Sequence, residues 1–305
     1  MKKLHYSFEE IESCEMCGDN TANHKILGQR LNCSQGLKPK SKTGISVSVM
    51  KCTNCSLVYS QPMPLPLNLQ DHYGISPEEY WEEERLSWTP DYFLGEINTA
   101  KKLISFQDGM KALDIGTGIG RCVIALKSAG FDAHGIEPGV KFREFAIAKG
   151  NINPEKIQLS SVEDAHYEPE TFDFITYGAV FEHLAHPAKT LEKSLGWLKS
   201  TGVIHIEVPS SAYFGSKLFN LYFKIARTNY VTHLSPMHSP FHLYEFDLKS
   251  FEELGKRLNF KIEEYNYFYN DVMLIPKIFS LPFNKYMEVT RKGMMFNLYV
   301  RKTPQ

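Results

Sequence analysis

Short apolar runs and longer amphipathic stretches alternate through most of the chain. Lys111–Ile115 and Phe131–Ile136 read as buried strands, separated by a glycine turn and a helical pattern that opens near Arg121. Further strands are predicted at Ile157–Leu159, Phe172–Tyr177, Val203–Val208, Phe260–Phe268 and Met295–Arg301, with helices between them. Phe93, Ile97, Ala100 and Ile104 share one helical face behind Thr89-Pro90, a good N-cap and first helical position. The spacing also predicts helices over Pro187–Lys199 and Asp247–Leu258. Strands alternating with helices define an α/β chain.

The turn after the first of these strands carries the most chemistry. Gly116, Gly118 and Gly120 in Leu-Asp-Ile-Gly-Thr-Gly-Ile-Gly let the backbone approach a ligand that side chains would exclude. Seventeen residues after Gly120, Glu137 ends the next strand, where a carboxylate can accept hydrogen bonds from both hydroxyls of a ribose. NAD-binding proteins share this geometry. Asp114, however, lies two residues before the first glycine, where it would repel a dinucleotide's pyrophosphate. S-adenosylmethionine carries a sulfonium and an ammonium and no phosphate, so an anionic site suits it.

Leu113–Gly120 resembles the first motif of class I S-adenosylmethionine-dependent methyltransferases, and Glu137-Pro138 resembles their acidic ribose-binding position. Phe172–Tyr177 is similar to their fourth strand, and Val180-Phe181-Glu182-His183-Leu184 to the segment that follows it. The helix from Pro187, Thr201-Gly202 and Val203–Val208 keep the family's order, and the resemblance covers roughly residues 90–301. It implies a Rossmann-like, seven-stranded, mostly parallel sheet with helices on both faces and an antiparallel seventh strand. It also implies cofactor contacts from Asp114, Gly116, Thr117, Gly118, Gly120, Glu137, Pro138 and Tyr177. Many relatives have an aspartate where Ser161 stands. The adenine side is therefore expected from the Ser161 hydroxyl, Glu163 or Asp164, and from the Val162 backbone.

The cysteines mark a second module. Cys14-x-x-Cys17 and Cys52-x-x-Cys55 are two knuckles that together offer the tetrahedral sulfur set zinc favours, in a closed and therefore structural site. Lys38–Val49 has strand-like alternation that fits a strand pair between them. The knuckles, Leu57-Val58-Tyr59 and the prolines that follow resemble the zinc-binding module of methyltransferases acting on nucleotide-activated sugars and other carbohydrate precursors. His242-Leu243-Tyr244-Glu245-Phe246 recurs in that group too. The expected organisation is a zinc-binding module at 1–60, a linker at 61–89 opened by Pro62, Pro64 and Pro66, and a methyltransferase domain at 90–305 with an insertion at about 209–240.

Composition permits this reading and narrows it. With 305 residues, 43% of them hydrophobic, the chain can bury a full core plus a small module. The net charge is −1, and residues 1–60 hold eight Lys/Arg against five Asp/Glu, so neither DNA nor RNA is the expected partner. No apolar run approaches the ~20 residues of a bilayer span. The first ten residues lack the apolar core of a signal peptide, so the expectation is a cytoplasmic monomer or homodimer with reduced thiols.

Candidate proton acceptors are Tyr177, Glu182, His183 and Glu207 at the carboxyl ends of strands four and five, and His233, His238 and His242 in the long insertion, with His242 foremost. The stripe Phe214, Leu218, Leu221, Tyr222 and Ile225 reads as a helix that is a lid over the acceptor, a dimer face or a membrane-surface contact. A second extra segment, Asp271–Arg291, is placed beside the same pocket. The expected activity is methyl transfer to a small-molecule acceptor, most simply a sugar or carbohydrate precursor. The competing readings are an RNA methyltransferase and a cofactor-binding regulatory protein without turnover.

Overall fold

The computed structural model describes residues 5–34, 44–80, 86–89, 91–270 and 280–303. Pro90, the 271–279 part of the second extra segment and the Lys38–Thr43 part of the predicted strand pair lie outside them. The N-terminal strands are β1 (Tyr6–Glu9), β2 (Lys25–Leu31), β3 (Ser46–Lys51), β4 (Val58–Gln61) and β5 (Met63–Pro66), followed by the one-turn helices α1 (Gln70–Tyr73) and α2 (Pro77–Tyr80). Then come α3 (Leu94–Ile104), β6 (Lys111–Ile115), α4 (Arg121–Ser128), β7 (Asp132–Glu137), α5 (Val140–Gly150), β8 (Ile157–Leu159), β9 (Phe172–Gly178), α6 (Pro187–Trp197) and β10 (Leu198–Pro209). The chain continues through α7 (Phe214–Ile225), β11 (Tyr244–Glu245), α8 (Leu248–Leu258), β12 (Phe260–Phe268), α9 (Ser280–Thr290) and β13 (Met295–Lys302).

Seven strands form one sheet in the order β12-β13-β10-β9-β6-β7-β8. β13 runs antiparallel to both of its neighbours, while β10, β9, β6, β7 and β8 are parallel. Helices cover both faces, so central strands read as continuous apolar runs rather than alternating ones: β9 is buried from Phe172 to Tyr177. Asp173, the acid within that run, sits at the amino edge, where Lys199 Nζ and the Lys111 backbone N–H satisfy it at 2.8–2.9 Å. α3 begins at Leu94 and buries Ile97, Ala100 and Ile104, as its periodicity predicts. α8 starts with a capping box in which Asp247 and Ser250 bond each other's backbone N–H.

A second, antiparallel sheet has the order β11-β4-β3-β2. Its edge strand β11 comes from the far side of the sequence, Tyr244 pairing with Tyr59 and Glu245 with Val58. The two sheets share one apolar cluster, in which Cys14, Cys52, Leu57 and Tyr59 continue into Phe181, Phe246 and Phe251. Polar ties run alongside: Ser250 Oγ donates to the Cys55 carbonyl at 2.9 Å, and Ser211 Oγ to the Ser56 carbonyl at 3.0 Å. Residues 61–89, expected as a linker, contribute β5, paired with β1, and the two short helices α1 and α2.

Candidate active site

The parallel strands all end on one edge of the large sheet, and the glycine turn leaves β6 there. Gly116, Gly118 and Gly120 have φ of 74°, 57° and 86°, a region L-residues rarely adopt. A Cβ on Gly116 would meet Val180 Cγ2 at 2.5 Å, and one on Gly120 would meet Ile152 Cδ1 at 2.4 Å. Opposite the turn, Gly135 in β7 leaves room for Thr117, whose hydroxyl would stand 2.2 Å from any added Cβ. Thr117 is buried, donating its N–H to the Ile136 carbonyl and its hydroxyl to the Asp114 carbonyl.

Two carboxylates flank this turn. Asp114, within the otherwise apolar β6, is buried, and burial pushes its carboxyl up to about 7 against the Cys122 thiol bonded to it. Glu137 is equally buried and pushed up to about 7; its oxygens accept from the Gly118 and Gly139 N–H groups at 2.7 Å each. Unlike Asp173 with its lysine, neither takes part in an ion pair among the described residues. A buried carboxylate is costly unless a cation joins it, so the pair favours a cationic ligand. That preference is local and opposite to what a pyrophosphate needs.

The neighbouring loops complete the cleft. Gln70 Nε2 in α1 donates to the Pro138 carbonyl at 2.7 Å, clamping the chain just past Glu137. After β8, Ser161 Oγ donates to Asp164 Oδ2 at 2.9 Å and accepts from the Asp164 N–H, so that loop's hydroxyl and carboxylate form one unit. The Val162 side chain is buried.

A further cluster forms where Glu182, His183 and His242 converge, each offering an atom within 4.8 Å of the others. His242 Nε2 lies 3.7 Å and His183 Nε2 4.0 Å from Glu182 Oε1, and their rings meet edge to face at 5.1 Å. His183 Nδ1 donates to the Phe241 carbonyl at 3.2 Å, leaving Nε2 with its lone pair. The Leu243 N–H donates to the Glu182 carbonyl at 2.9 Å, tying the loop that carries His242 to the turn that carries Glu182. Burial holds His183 down to about 4 and His242 down to about 3, keeping both neutral, and pushes Glu182 up to about 8. Glu182 is 1% exposed and its Oε2 has no hydrogen-bond partner among the described residues. Glu207, at the carboxyl end of β10, is pushed up to about 7 by burial and by Glu96.

Three expected residues stand elsewhere. Tyr177 is fully buried with its hydroxyl on Ser194 Oγ at 2.6 Å and its ring against Phe181, so the strand's alternation turns it into the core rather than the cleft. The proton-transfer role expected of its hydroxyl does not fit this placement. His238 donates from Nδ1 to the neighbouring Ser239 carbonyl, and His233 pairs with Glu245 under β11, each committed locally.

Sequence reasoning missed Tyr73. Its phenol is pushed up by burial and by the proximity of Tyr80, Glu182 and Glu137, which places it between the two carboxylate sites, and its ring lies 6.4 Å from His183. Beside it His72 stacks on Phe241 at 3.9 Å and meets the Tyr6 hydroxyl at 3.1 Å. The signal was there as an aromatic cluster, His72-Tyr73 with Tyr80, inside a stretch whose prolines argue for a connector.

The four knuckle cysteines form a second constellation. Cys14 and Cys55 sulfurs are 3.5 Å apart, Cys17 and Cys52 sulfurs 3.6 Å, and all four lie within 4.8 Å of one another. A tetrahedral zinc with bonds of about 2.3 Å would hold its sulfurs about 3.8 Å apart, so the set is compatible with zinc. Gly18, at φ 76°, and Ser56, at φ 66°, let the knuckles close on the Cys14 and Cys52 carbonyls.

Comparison with known proteins bears on this arrangement. The family model described as a methyltransferase domain matches residues 89–265. A chain from the complex between the Haloferax volcanii Trm112 methyltransferase activator and a methyltransferase is similar in fold, at 15% identity and a TM-score of 0.50, over 73% of this chain and 95% of that one. Haemonchus contortus phosphoethanolamine N-methyltransferase 2, solved with S-adenosyl-L-methionine, is similar at 15% identity and a TM-score of 0.51, over 79% of this chain and 62% of that one. A search of curated proteins found no match.

Proposed function

The chain belongs to the methyltransferase-domain family, and from that premise we propose that it transfers a methyl group from S-adenosylmethionine to a hydroxyl of a small acceptor, a sugar or carbohydrate precursor. The observation that carries the acceptor reading is the buried Glu182 carboxyl group, without a partner at Oε2 among the described residues, with two neutral histidines near its other oxygen. Such a group recognises and deprotonates a hydroxyl; it offers nothing to a phosphodiester.

The donor's site is built from residues that fit it. Gly116, Thr117, Gly118 and Gly120 form the wall against which the cofactor would lie, Asp114 and Glu137 meet its cationic and ribose groups, and Pro138, Ser161 and Val162 border its adenine. The β9 backbone at Tyr177 forms the floor. Bound there, the cofactor supplies a methyl group on a positively charged sulfur, open to in-line displacement. The protein's share is orientation, which in well-aligned systems is worth effective molarities of ~10⁵ M or more. In its ionised form, which prevails above about pH 8, Glu182 balances the imidazolium that His242 becomes when its Nε2 takes the acceptor's proton as the new bond forms. His183, fixed by the Phe241 carbonyl, orients the same hydroxyl, and Tyr73 closes the cleft.

The remaining parts of this reading are structural. The four cysteines hold one zinc, which ties the knuckles to the core and takes no part in transfer. The division into a zinc-binding module at 1–60, a connector at 61–89 and a methyl-transfer domain over 90–305 belongs to the same proposal.

The carboxylates give cofactor affinity a defined pH dependence. Asp114 and Glu137 are both pushed up to about 7 in the fold and bind the cation in their ionised form. Affinity therefore rises as pH climbs through 7 and falls below it. Calorimetric titration with S-adenosylmethionine should show a loss of about tenfold or more from about pH 8 to about pH 6. A flat profile would mean that these carboxylates do not meet the cation.

The acceptor is tested by incubating the full chain with tritiated methyl donor against a panel of sugar nucleotides and structured RNA. Label on a sugar hydroxyl supports the proposal. Label on RNA, or cofactor binding without transfer to any hydroxyl compound, contradicts it.

A further inference from the structure

Helices α7 and α9 pack on each other through Phe214, whose ring stacks on Phe283 at 5.7 Å and meets Tyr286 at 5.1 Å. α7 turns Gly215 and Phe223 inward, and α9 turns Met287 inward. Four of their aliphatic side chains remain outside: Leu221 is 55% exposed, Ile225 73%, Leu281 80% and Val289 76%. Single exposed hydrophobics are ordinary, but four on two adjoining helices are not.

The charge on them is predominantly positive. Residues 214–227 contain Lys217, Lys224 and Arg227 and no acid, and residues 280–292 contain Lys285, Arg291 and Lys292 against Glu288 alone. This excess sits in a chain whose net charge is −1. Burial, Lys292 and Lys51 push the Lys217 amine below its ordinary range, with Tyr286 and Asp247 offsetting them only in part.

Topology puts this face on the active rim. α7 follows the carboxyl end of β10, and α9 leads into Met295, which pairs with Pro209 at that same edge. No helix among the described residues is long and apolar enough to cross a membrane. These two, at 12 and 11 residues, are of a length to lie along a surface.

We propose that the α7–α9 face docks the protein on the anionic surface of a lipid bilayer, with its aliphatic side chains among the acyl chains and its lysines and arginines at the headgroups. A second copy of the chain is the poorer occupant. A two-fold contact would lay this patch on itself and set the same basic groups against each other. The docking goes beyond the acceptor assignment and stands or falls separately from it: methyl transfer to a soluble sugar nucleotide would survive its failure.

The test is co-sedimentation of the full chain with vesicles of phosphatidylcholine alone or with about 30% phosphatidylglycerol. Binding is expected to the mixed vesicles only, and to weaken with added salt. Ile225→Asp with Val289→Asp should lower it more than about tenfold, and Lys224→Ala with Lys285→Ala about thirtyfold. All four side chains are exposed. Circular dichroism and S-adenosylhomocysteine calorimetry should therefore match the wild type and exclude misfolding. Absence of binding to the mixed vesicles, or variants that bind them like the wild type, would overturn the proposal. So would a dimer abolished by Ile225→Asp in a chain that ignores vesicles, which would give the face to a second copy.

Discussion

His242→Asn lowers kcat by about a thousandfold while leaving cofactor affinity within about threefold of the wild type. General acid–base catalysis by one positioned side chain is worth about 10²–10⁴. His242 is the candidate whose Nε2 stands nearest the buried Glu182 carboxylate, at 3.7 Å. Its ring is 27% exposed at the side chain, so an acceptor can reach it, whereas Tyr177 is sealed in the core. Asparagine keeps polarity and approximate size but cannot carry a proton at neutral pH. The Leu243 N–H bond to the Glu182 carbonyl is made by the backbone, and so it survives the change. Single-turnover kinetics with tritiated donor separate the chemical step from binding. An unchanged rate would show that the acceptor reacts without a base or that its proton leaves by another route.

Cys52→Ser with Cys55→Ser lowers the thermal midpoint by more than about 10 °C and reduces transfer along with it. In metal-bound modules the metal's binding free energy becomes folding free energy. Here it has a defined route into the active site. The second knuckle leads directly into β4, β4 pairs with β11, and β11 directly follows His242. The Cys55 carbonyl also receives the Ser250 hydroxyl from the first turn of α8. Removing these two thiols is therefore expected to loosen the strand that follows His242. Scanning calorimetry with metal analysis by mass spectrometry should show about one zinc per wild-type chain and none in the variant. An unshifted midpoint would show that the sulfurs form a buried thiol cluster without a structural cation.

Much of this was legible along the chain because a sheet covered on both faces leaves a simple signature. Ala112–Ile115 and Phe172–Tyr177 are short, mostly apolar runs with one acid each, and β9 is buried along its length up to Tyr177. The glycines announce their left-handed backbone directly. Glu137 and Asp114 drew notice in the sequence because a carboxylate beside such a turn has few structural uses, and both are buried there. The rest needed the third dimension. Nothing local reveals that Tyr244 adds a strand to a sheet begun near Lys25, since a two-residue strand has no periodicity. Tyr177 was misplaced because a fully buried strand shows no alternation to say which face a side chain takes. Tyr73 was missed because its role depends on where α1 lands, beside Pro138 and His183, residues more than sixty positions away. The Leu221 and Ile225 stripe was correctly read as one helix face, but whether that face is covered is a tertiary fact.

The central physical claim is that two buried carboxylates without cationic partners among the described residues, set on either side of a glycine turn, hold a cationic nucleoside. Isothermal calorimetry of the full chain with S-adenosylmethionine, S-adenosylhomocysteine and NAD near pH 8 addresses it most directly. One site per chain for the first two ligands is predicted, with the donor weakened at least about tenfold by Asp114→Asn and no heat from NAD. Tight uptake of NAD with no response to either sulfur nucleoside would contradict it.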